Sequence, residues 1–329
     1  MIGAALDRRL HFVVGKGGVG KTTVAAALAR LLTRRGRRTL AVEVDDERRL
    51  SSLLGASGTT GTPTPVAPGL AVVAVEGRAA LEEYLGLIIP VKRLLSTIFS
   101  SRIYQYFVAA APGLKELMTV GKIWYEATRQ EGGRPAWDAV VVDAPATGHS
   151  LQYLRMPQAA RDTFGAGLVQ REAAKVVDLL RDARTTAVHL VTLAEEMPVA
   201  ETLETYAQLK DPLAMPVGSV IVNRVHHRRF SAAALAALRD AIKRAGAEQR
   251  ALLRAVCERA AEESGWSDIN AAHLARLRTA IRDVPIVELP FLFVEEFDRS
   301  CVEQLARQLE AGVEAEAGSA ARGSERGGP

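Results

Sequence analysis

Residues 12–23 read FVVGKGGVGKTT, and this stretch decides the fold. The spacing of Gly15, Gly20, Lys21 and Thr22 satisfies the pattern G-x-x-x-x-G-K-[ST]. An apolar run precedes the stretch and a helix-forming run, Val24 to Leu32, follows it. A glycine-rich turn between a strand and a helix is the context in which this pattern holds phosphate. The stretch is therefore predicted to be a phosphate-binding loop.

The chemistry of such a loop assigns its residues. Glycines let successive backbone N–H groups turn toward phosphate oxygens, and the following helix adds its positive N-terminal end. Lys21 would neutralise the β- and γ-phosphates, and the Thr22 hydroxyl would ligate Mg²⁺. A second lysine, Lys16, is not required by this function. The predicted nucleotide-binding residues of the loop are Gly15, Gly17, Gly18, Val19, Gly20, Lys21, Thr22 and Thr23.

The composition is that of a globular protein. The chain has 329 residues, enough for one large α/β domain with insertions, and 48% of them are hydrophobic. A net charge of +4 is too small to indicate nucleic-acid binding without a focused basic patch. The arginine clusters are interpreted as solvated helix ends and loops. They are Arg34, Arg35, Arg37 and Arg38, then Arg48 and Arg49, then Arg228 and Arg229.

Targeting features favour the cytoplasm. The two cysteines, Cys257 and Cys301, are too far apart in sequence for a C-x-x-C metal pair, and they form no disulfide framework. Residues 1–11 lack the apolar core of a signal peptide. No uncharged apolar run approaches the roughly 18 residues that a transmembrane helix needs. A reducing, cytoplasmic location is expected.

Apolar runs alternate with helical patterns, which predicts an α/β fold. We expect a three-layer architecture, a mostly parallel central sheet flanked by helices, with an added helical insertion layer. Residues 57–68 are predicted to be a loop. One domain is expected at 1–312, with insertions at about 78–130, 158–185 and 230–282, and a disordered tail at 313–329. The predicted strands are 10–14, 39–44, 70–75, 137–142, 187–192, 217–222 and 285–289.

Three polar residues stand at or near the carboxyl ends of predicted strands, where open parallel sheets bind ligands. Asp143 follows a strongly apolar strand, so it is predicted to hold Mg²⁺ through water. Asp45 could orient the attacking water, because phosphoryl transfer depends mainly on positioning and charge neutralisation. Capping of a following helix remains an alternative for either aspartate. Asn223 ends a third strand.

Two motifs together resemble a known family. The loop is similar to the deviant Walker A motif, and residues 143–151, DAPATGHSL, resemble the second switch of the arsenical-pump (anion-transporting) ATPases. That family includes the ATPases that target tail-anchored membrane proteins, and its pattern D-T-A-P-T-G-H-T-L has the same length. Glu195–Met197 and the strand end at Asn223 are also similar. The resemblance covers about residues 10–309 and is weakest at 57–110 and 226–282.

The resemblance implies an ATP-hydrolysing homodimeric switch, or a dimer with a related chain, that uses Mg²⁺. It implies that Lys16 stabilises transition-state charge in the partner's site, that Asp45 activates water and that Asn223 reads adenine. ATP-driven dimer closure would be coupled to a hydrophobic or protein client, and a membrane-protein partner is among those implied. The implied γ-phosphate switch is formed by Thr147, Gly148 and His149.

Several residues depart from the family pattern. Residues 45–50 read DDERRL where the family's first switch reads D-P-A-H-x-L, so its proline and histidine are absent. The zinc-binding C-x-x-C pair is also missing. Trivalent arsenic prefers soft thiolate ligands, so two distant cysteines argue against metalloid binding. His149 either senses phosphate or fixes the switch geometry through hydrogen bonds.

Two other classes remain as alternatives. A partition or positioning ATPase would toggle association with DNA or membrane. The small, acidic residues after Leu309 count against a membrane anchor, and no nucleic-acid partner is favoured. An electron-transferring ATPase with a bridging iron–sulfur cluster would need two suitably placed cysteines in each subunit.

Overall fold

A central eight-stranded sheet organises the protein. The computed structural model describes residues 5–44, 48–56, 61–88, 99, 101, 102, 113–145, 147–163 and 166–325. The strand order is β10-β9-β8-β1-β7-β2-β4-β3, and every neighbouring pair is parallel except β3 and β4. The strands are β1 (Leu10–Gly15), β2 (Thr39–Val44), β3 (Thr64–Ala67), β4 (Leu70–Val75), β7 (Ala139–Asp143), β8 (Thr186–Leu193), β9 (Val217–Val225) and β10 (Ile286–Pro290). A separate two-stranded hairpin consists of β5 (Gln130–Glu131) and β6 (Arg134–Pro135).

Helices cover both faces of the sheet. They are α1 (Lys21–Arg34), α2 (Arg49–Leu54), α3 (Gly77–Ile88), α4 (Leu114–Thr128), α5 (Thr147–Thr163), α6 (Leu168–Arg181), α7 (Glu196–Lys210), α8 (Ala232–Arg244), α9 (Ala247–Ala280) and α10 (Arg299–Glu325). One core layer joins the sheet to α1, α2 and α10, and the other joins it to α4 to α7 and α9. Because central strands are buried on both faces, they read as continuous apolar runs, which is why the sequence reveals them. The predicted three-layer α/β fold is confirmed.

The predicted insertions correspond to helices outside the minimal sheet. Residues 78–130 contain α3 and α4, residues 158–185 contain the end of α5 and all of α6, and residues 230–282 contain α8 and α9. Helices α8 and α9 form a hairpin, and Ser231 caps α8 by accepting a hydrogen bond from the Ala234 N–H at 3.1 Å. Most of the stretch between α3 and α4 lies outside the described residues.

Three local features go beyond what the sequence predicts. Residues 57–68 were expected to be a loop, yet β3 forms within them as an antiparallel edge strand, where Pro65 is tolerated because an edge strand does not need every N–H. Helix α5 begins at Thr147, inside the stretch that resembles the second switch. Helix α10 runs to Glu325, past residue 312, where the disordered tail was expected to begin. Buried residues at helical spacing hold α10 against the sheet, and they include Val302, Leu305, Leu309 and Val313.

Across the described ranges, no helix is both long enough and apolar enough to cross a lipid bilayer.

Candidate nucleotide-binding site

The phosphate-binding loop leaves the middle of the sheet. Strand β1 lies between β8 and β7, and α1 starts directly after the loop at Lys21. A Cβ added to Gly15 would lie 2.2 Å from the Val191 carbonyl oxygen. Gly20 has a φ of 90°, and a Cβ there would lie 2.3 Å from the Asn223 Nδ2. Only glycine satisfies both the close approach and the left-handed backbone.

Lys21 is held across the mouth of the loop. Its Nζ donates a hydrogen bond to the backbone carbonyl oxygen of Lys16 at 3.0 Å. This contact positions an ammonium at the place where the N–H groups of the loop and the first turn of α1 converge. The arrangement fits an anion, since both the helix end and the ammonium favour negative charge.

Lys16 points away from its own loop toward α7. Its Nζ lies 2.5 Å from the Oε1 of Glu201, and the two side chains are 36% and 33% exposed. An ion pair this exposed contributes about 0–1 kcal/mol, because water and salt screen it. Lys16 therefore stands at the surface in a weak ion pair that another anion can replace.

A cleft of about 700 Å³ opens beside the loop, within the size range of small-molecule sites. The predicted residues that line it are Gly17, Gly18, Gly20, Lys21, Thr22, Thr23 and Asp143. Asp143 ends β7, opposite Val13 on one side and Glu43 on the other, and its side chain is nearly buried. The structure thus brings the loop, the hydroxyl of Thr22 and a strand-end carboxylate into one cleft.

Three predicted groups are not brought into this cleft by the described residues. Asp45 lies outside the described residues, and so do the side chains of Thr147, Gly148 and His149, although their backbone forms the start of α5. Asn223 is described and lies behind the loop. Its side chain is buried, and its Nδ2 donates a hydrogen bond to the Val19 carbonyl oxygen at 2.9 Å. Asn223 therefore anchors the loop, and its predicted contact with adenine stays a prediction.

Sequence reasoning missed Glu43. This carboxylate is buried in β2, where it accepts hydrogen bonds from the Leu50 N–H at 2.8 Å and from the Ser51 hydroxyl. It caps the first turn of α2, whose own N-cap residue makes no side-chain cap. The signal in the sequence was a lone acidic residue inside the apolar run of β2.

Arginines also line the cleft. The side chains of Arg48, Arg49 and Arg224 join its wall. Arg48 and Arg49 are exposed at the start of α2, as the interpretation of the arginine clusters as solvated helix ends and loops expects, and they also border the cleft. That interpretation is wrong for Arg37, whose half-buried guanidinium donates to backbone carbonyl oxygens, among them that of Arg8 at 2.6 Å.

These residues fit a magnesium nucleotide. Three loop glycines, Gly17, Gly18 and Gly20, line the cleft together with the Lys21 ammonium, so backbone and cation can both approach a phosphate there. Hydroxyl and carboxylate oxygens, the ligands that Mg²⁺ prefers, come from Thr22 and Asp143. The polar atoms of the cleft therefore match both the phosphate groups and the Mg²⁺ of such a ligand.

A second, smaller cavity of about 220 Å³ lies in the helical layer between α3, α4 and α6. Tyr125 and Val169 stand at it with 42% of each side chain exposed. Lys122 bridges Glu83 and Glu126 beside it, with nitrogen–oxygen distances of 2.7 and 3.3 Å. The apolar lining comprises Ala80, Tyr84, Leu117, Met118, Trp124, Tyr125, Val169, Ala173 and Val176.

The fold and the loop define a phosphate-loop nucleotide-binding protein with an extra lysine after the first loop glycine. Residues 8–172, just over half of the chain, match the family described as anion-transporting ATPase. The chain therefore belongs to the anion-transporting ATPase family. The resemblance seen in the two motifs is confirmed.

Curated relatives agree with this assignment. ATPase BagA of Mycobacterium tuberculosis is 36% identical over 222 residues, which cover 66% of this chain and 65% of the relative. The arsenical pump-driving ATPase of Escherichia coli is 28% identical over 221 residues, covering 60% of this chain and 36% of that protein. ATPase GET3B of Arabidopsis thaliana is 26% identical over 272 residues, covering 66% and 64%. This chain thus spans about two thirds or less of these relatives.

Proposed function

We propose that this chain hydrolyses ATP and acts as a switch that closes as a dimer, either with a second copy or with a related chain. One observation carries the proposal. The cleft combines Lys21, Thr22 and Asp143 at the carboxyl edge of a parallel sheet, beside a glycine loop that leaves room for phosphate. The names of the relatives, ATPases in each case, support the same activity.

Each residue has a role in this proposal. The loop N–H groups and Lys21 bind the phosphates, while Thr22 and Asp143 hold Mg²⁺, the aspartate through water. Bound Mg²⁺ would neutralise part of the phosphate charge. Asp45 is proposed to orient the attacking water. The hydrogen bond between Glu43 and the Leu50 N–H supports this role, because it ties together the two ends of the segment that contains Asp45.

Lys16 is proposed to act in the neighbouring chain's site. Its present pairing with Glu201 is worth at most about 1 kcal/mol. A charge-assisted hydrogen bond to a phosphate in a drier interface contributes about 1.5–3 kcal/mol. These two free energies favour a change of partner for Lys16 when two chains close around ATP. Lys16 would leave Glu201 and bind a phosphate in the neighbouring chain's site.

The small apolar cavity is proposed to hold side chains of a hydrophobic protein client, a membrane protein among the candidates. Its apolar lining lies in the helical layer rather than at the phosphates, so nucleotide and client can bind together. About 220 Å³ accommodates a few side chains rather than a whole helix.

Two free cysteines, one of them buried, are compatible with work in the cytoplasm.

ATP turnover and analytical ultracentrifugation with and without MgATP test the enzyme and the dimer. We expect slow hydrolysis and dimerisation that depends on MgATP. Lys21→Ala should lose ATP binding, whereas Lys16→Ala should keep binding and lose turnover. If Lys16→Ala and Asp45→Asn both hydrolyse ATP at the wild-type rate, the assignment of the site is wrong.

The client is tested with Asp45→Asn protein trapped with ATP. Proteins that co-purify with it should differ from those bound to the nucleotide-free form. Val169→Asp, at the exposed edge of the cavity, should abolish this association without changing the ATPase rate. Val256→Asp is the matched control, since Val256 is 43% exposed on α9 and does not line the cavity. Equal loss in both variants would contradict the assignment of the cavity.

A further inference from the structure

Strand β9 contains a bulge where it reaches the nucleotide cleft. Glu288 of β10 pairs with Val222, and Pro290 of β10 pairs with Val225. Two steps along β10 thus correspond to three along β9, so β9 carries one extra residue at Asn223–Arg224. Bulges of this kind occur next to active sites, where they redirect a side chain.

The backbone of Arg224 is left-handed, with a φ of 54°. An arginine rarely adopts this conformation, and it persists only where the surrounding structure imposes it. Hydrogen bonds hold the residues on both sides of Arg224 in place. The Asn223 amide donates to the Val19 carbonyl of the phosphate loop, and the Val225 carbonyl accepts from the Phe291 N–H at 3.0 Å.

The bulge directs Arg224 into the cleft wall. Asn223 and Val225 are buried, while Arg224 between them is exposed and lines the same cleft as Lys21 and Asp143. Among the described residues, its guanidinium has no carboxylate within ion-pair distance. Arg228, four residues further on, does pair with a carboxylate, that of Asp268. A strained backbone thus holds a guanidinium that is available for an anion.

We propose that Arg224 binds the phosphates of the nucleotide, donating hydrogen bonds to phosphate oxygens within its own chain. The planar guanidinium matches phosphate with two parallel N–H donors, which the single ammonium of Lys21 does not. Through Asn223, the same bulge also supports the phosphate loop. This assignment rests on the proposed nucleotide-binding function, and it adds a binding residue outside the loop motif.

Equilibrium titration with ATP and with ADP tests the assignment. Arg224→Asn removes the guanidinium and keeps a residue that tolerates the left-handed backbone. We expect its Kd for both nucleotides to rise about tenfold or more, the loss of one charge-assisted hydrogen bond. The Kd of Arg224→Lys should lie between that of Arg224→Asn and that of the wild type. The salt dependence of binding should also weaken in Arg224→Asn, a change that a purely structural role would not produce.

The matched control is Arg184→Asn. The Arg184 side chain is 92% exposed, and the residue lies just before β8, at the end of the sheet opposite the cleft. Its substitution therefore removes the same charge at a site remote from the cleft. Its Kd should stay within about twofold of the wild type, since screening weakens distant surface charges. Thermal unfolding without nucleotide should show that each variant is folded. Arg224→Gly, which relieves the left-handed backbone, replaces Arg224→Asn should the latter unfold.

Two failures are distinguishable. If the Arg224 variants bind ATP as tightly as the wild type while Lys21→Ala binds weakly, the role of Arg224 is refuted and the nucleotide site stands. If Lys21→Ala also binds ATP like the wild type, the proposed nucleotide-binding function itself is wrong.

Discussion

A buried pair of histidines makes the stability of this fold sensitive to acid. His11 in β1 and His189 in β8 stack with ring centroids 5.4 Å apart, and the His11 Nδ1 lies 3.1 Å from the His189 Nε2. The chain of contacts ends at the Arg8 carbonyl oxygen, 2.9 Å from the His11 Nε2, and at the Ser219 hydroxyl, 2.8 Å from the His189 Nδ1. Two neutral rings, with one proton each, satisfy every contact.

Protonation of this pair is unfavourable in the folded protein. Burial and, to a smaller extent, the charge of Arg8 together lower the pKa of His189 to about 4. The pKa of His11 also lies well below its usual value, first because of burial and then because of the charges of His189 and Arg37. The unfolded chain therefore binds more protons than the folded chain below pH 6.5. The free energy of unfolding must fall as the pH falls from 6.5 toward 4.

The size of the effect follows from the pKa difference. Each histidine removes about 1.4 kcal/mol per pH unit, so His189 alone removes about 3 kcal/mol between pH 6.5 and 4. That is a large fraction of a typical stability of about 5–15 kcal/mol. His11 adds a loss of the same sign.

Urea denaturation at pH 7, 6 and 5 measures this loss. The double variant His11→Asn/His189→Asn lacks the titrating rings but keeps polar side chains in the sheet. Carboxylates titrate in both proteins, so the difference in pH dependence between wild type and variant isolates the histidines. We expect the wild type to lose more free energy of unfolding than the variant does, with a difference that approaches about 1.4 kcal/mol per pH unit per histidine below pH 6. Equal slopes would refute the reasoning.

Three further predictions follow from single contacts. Gly20→Ala should abolish ATP binding and lower the melting temperature, because its Cβ would lie 2.3 Å from the Asn223 amide nitrogen at a φ of 90°; retained ATP affinity in a titration would contradict the geometry of the loop. Glu43→Gln should cost about 1–3 kcal/mol in urea denaturation, because it weakens the charge-assisted cap of α2; an unchanged free energy of unfolding would show that this cap contributes little. Glu201→Gln should release Lys16 and tighten MgATP-dependent dimerisation by up to about fivefold, the equivalent of 1 kcal/mol. Sedimentation that matches the wild type would mean that the ion pair does not compete with the dimer.

Much of the site could be predicted from local sequence. The phosphate loop is contiguous, and its glycine spacing carries its own geometry. Asp143 was predictable because an apolar strand that ends in a carboxylate places it at the edge of the sheet where the loop also ends. Such features depend on neighbours a few residues apart, so the family and the α/β fold were readable without coordinates.

Other residues acquired their roles only through contacts between distant segments. Glu43 is a lone acidic residue in an apolar strand, and its role as a cap of α2 depends on the packing of α2 against β2. Val313 lies in a stretch of low hydrophobicity, yet it is buried in the core layer that α10 shares with α1 and the sheet. Composition predicts disorder for this stretch because it does not include the contacts that the residues make in the folded chain.

The sequence by itself determined the phosphate-binding loop and the seven predicted strands with their order along the chain, because period and spacing are local properties. Only the tertiary structure decided where the cations around the loop lie. It paired Lys16 with Glu201, and it turned Arg224 into the cleft through a bulge that exists only in the pairing of β9 with β10. Register between strands is a relation between segments, and neither segment's own residues specify it alone.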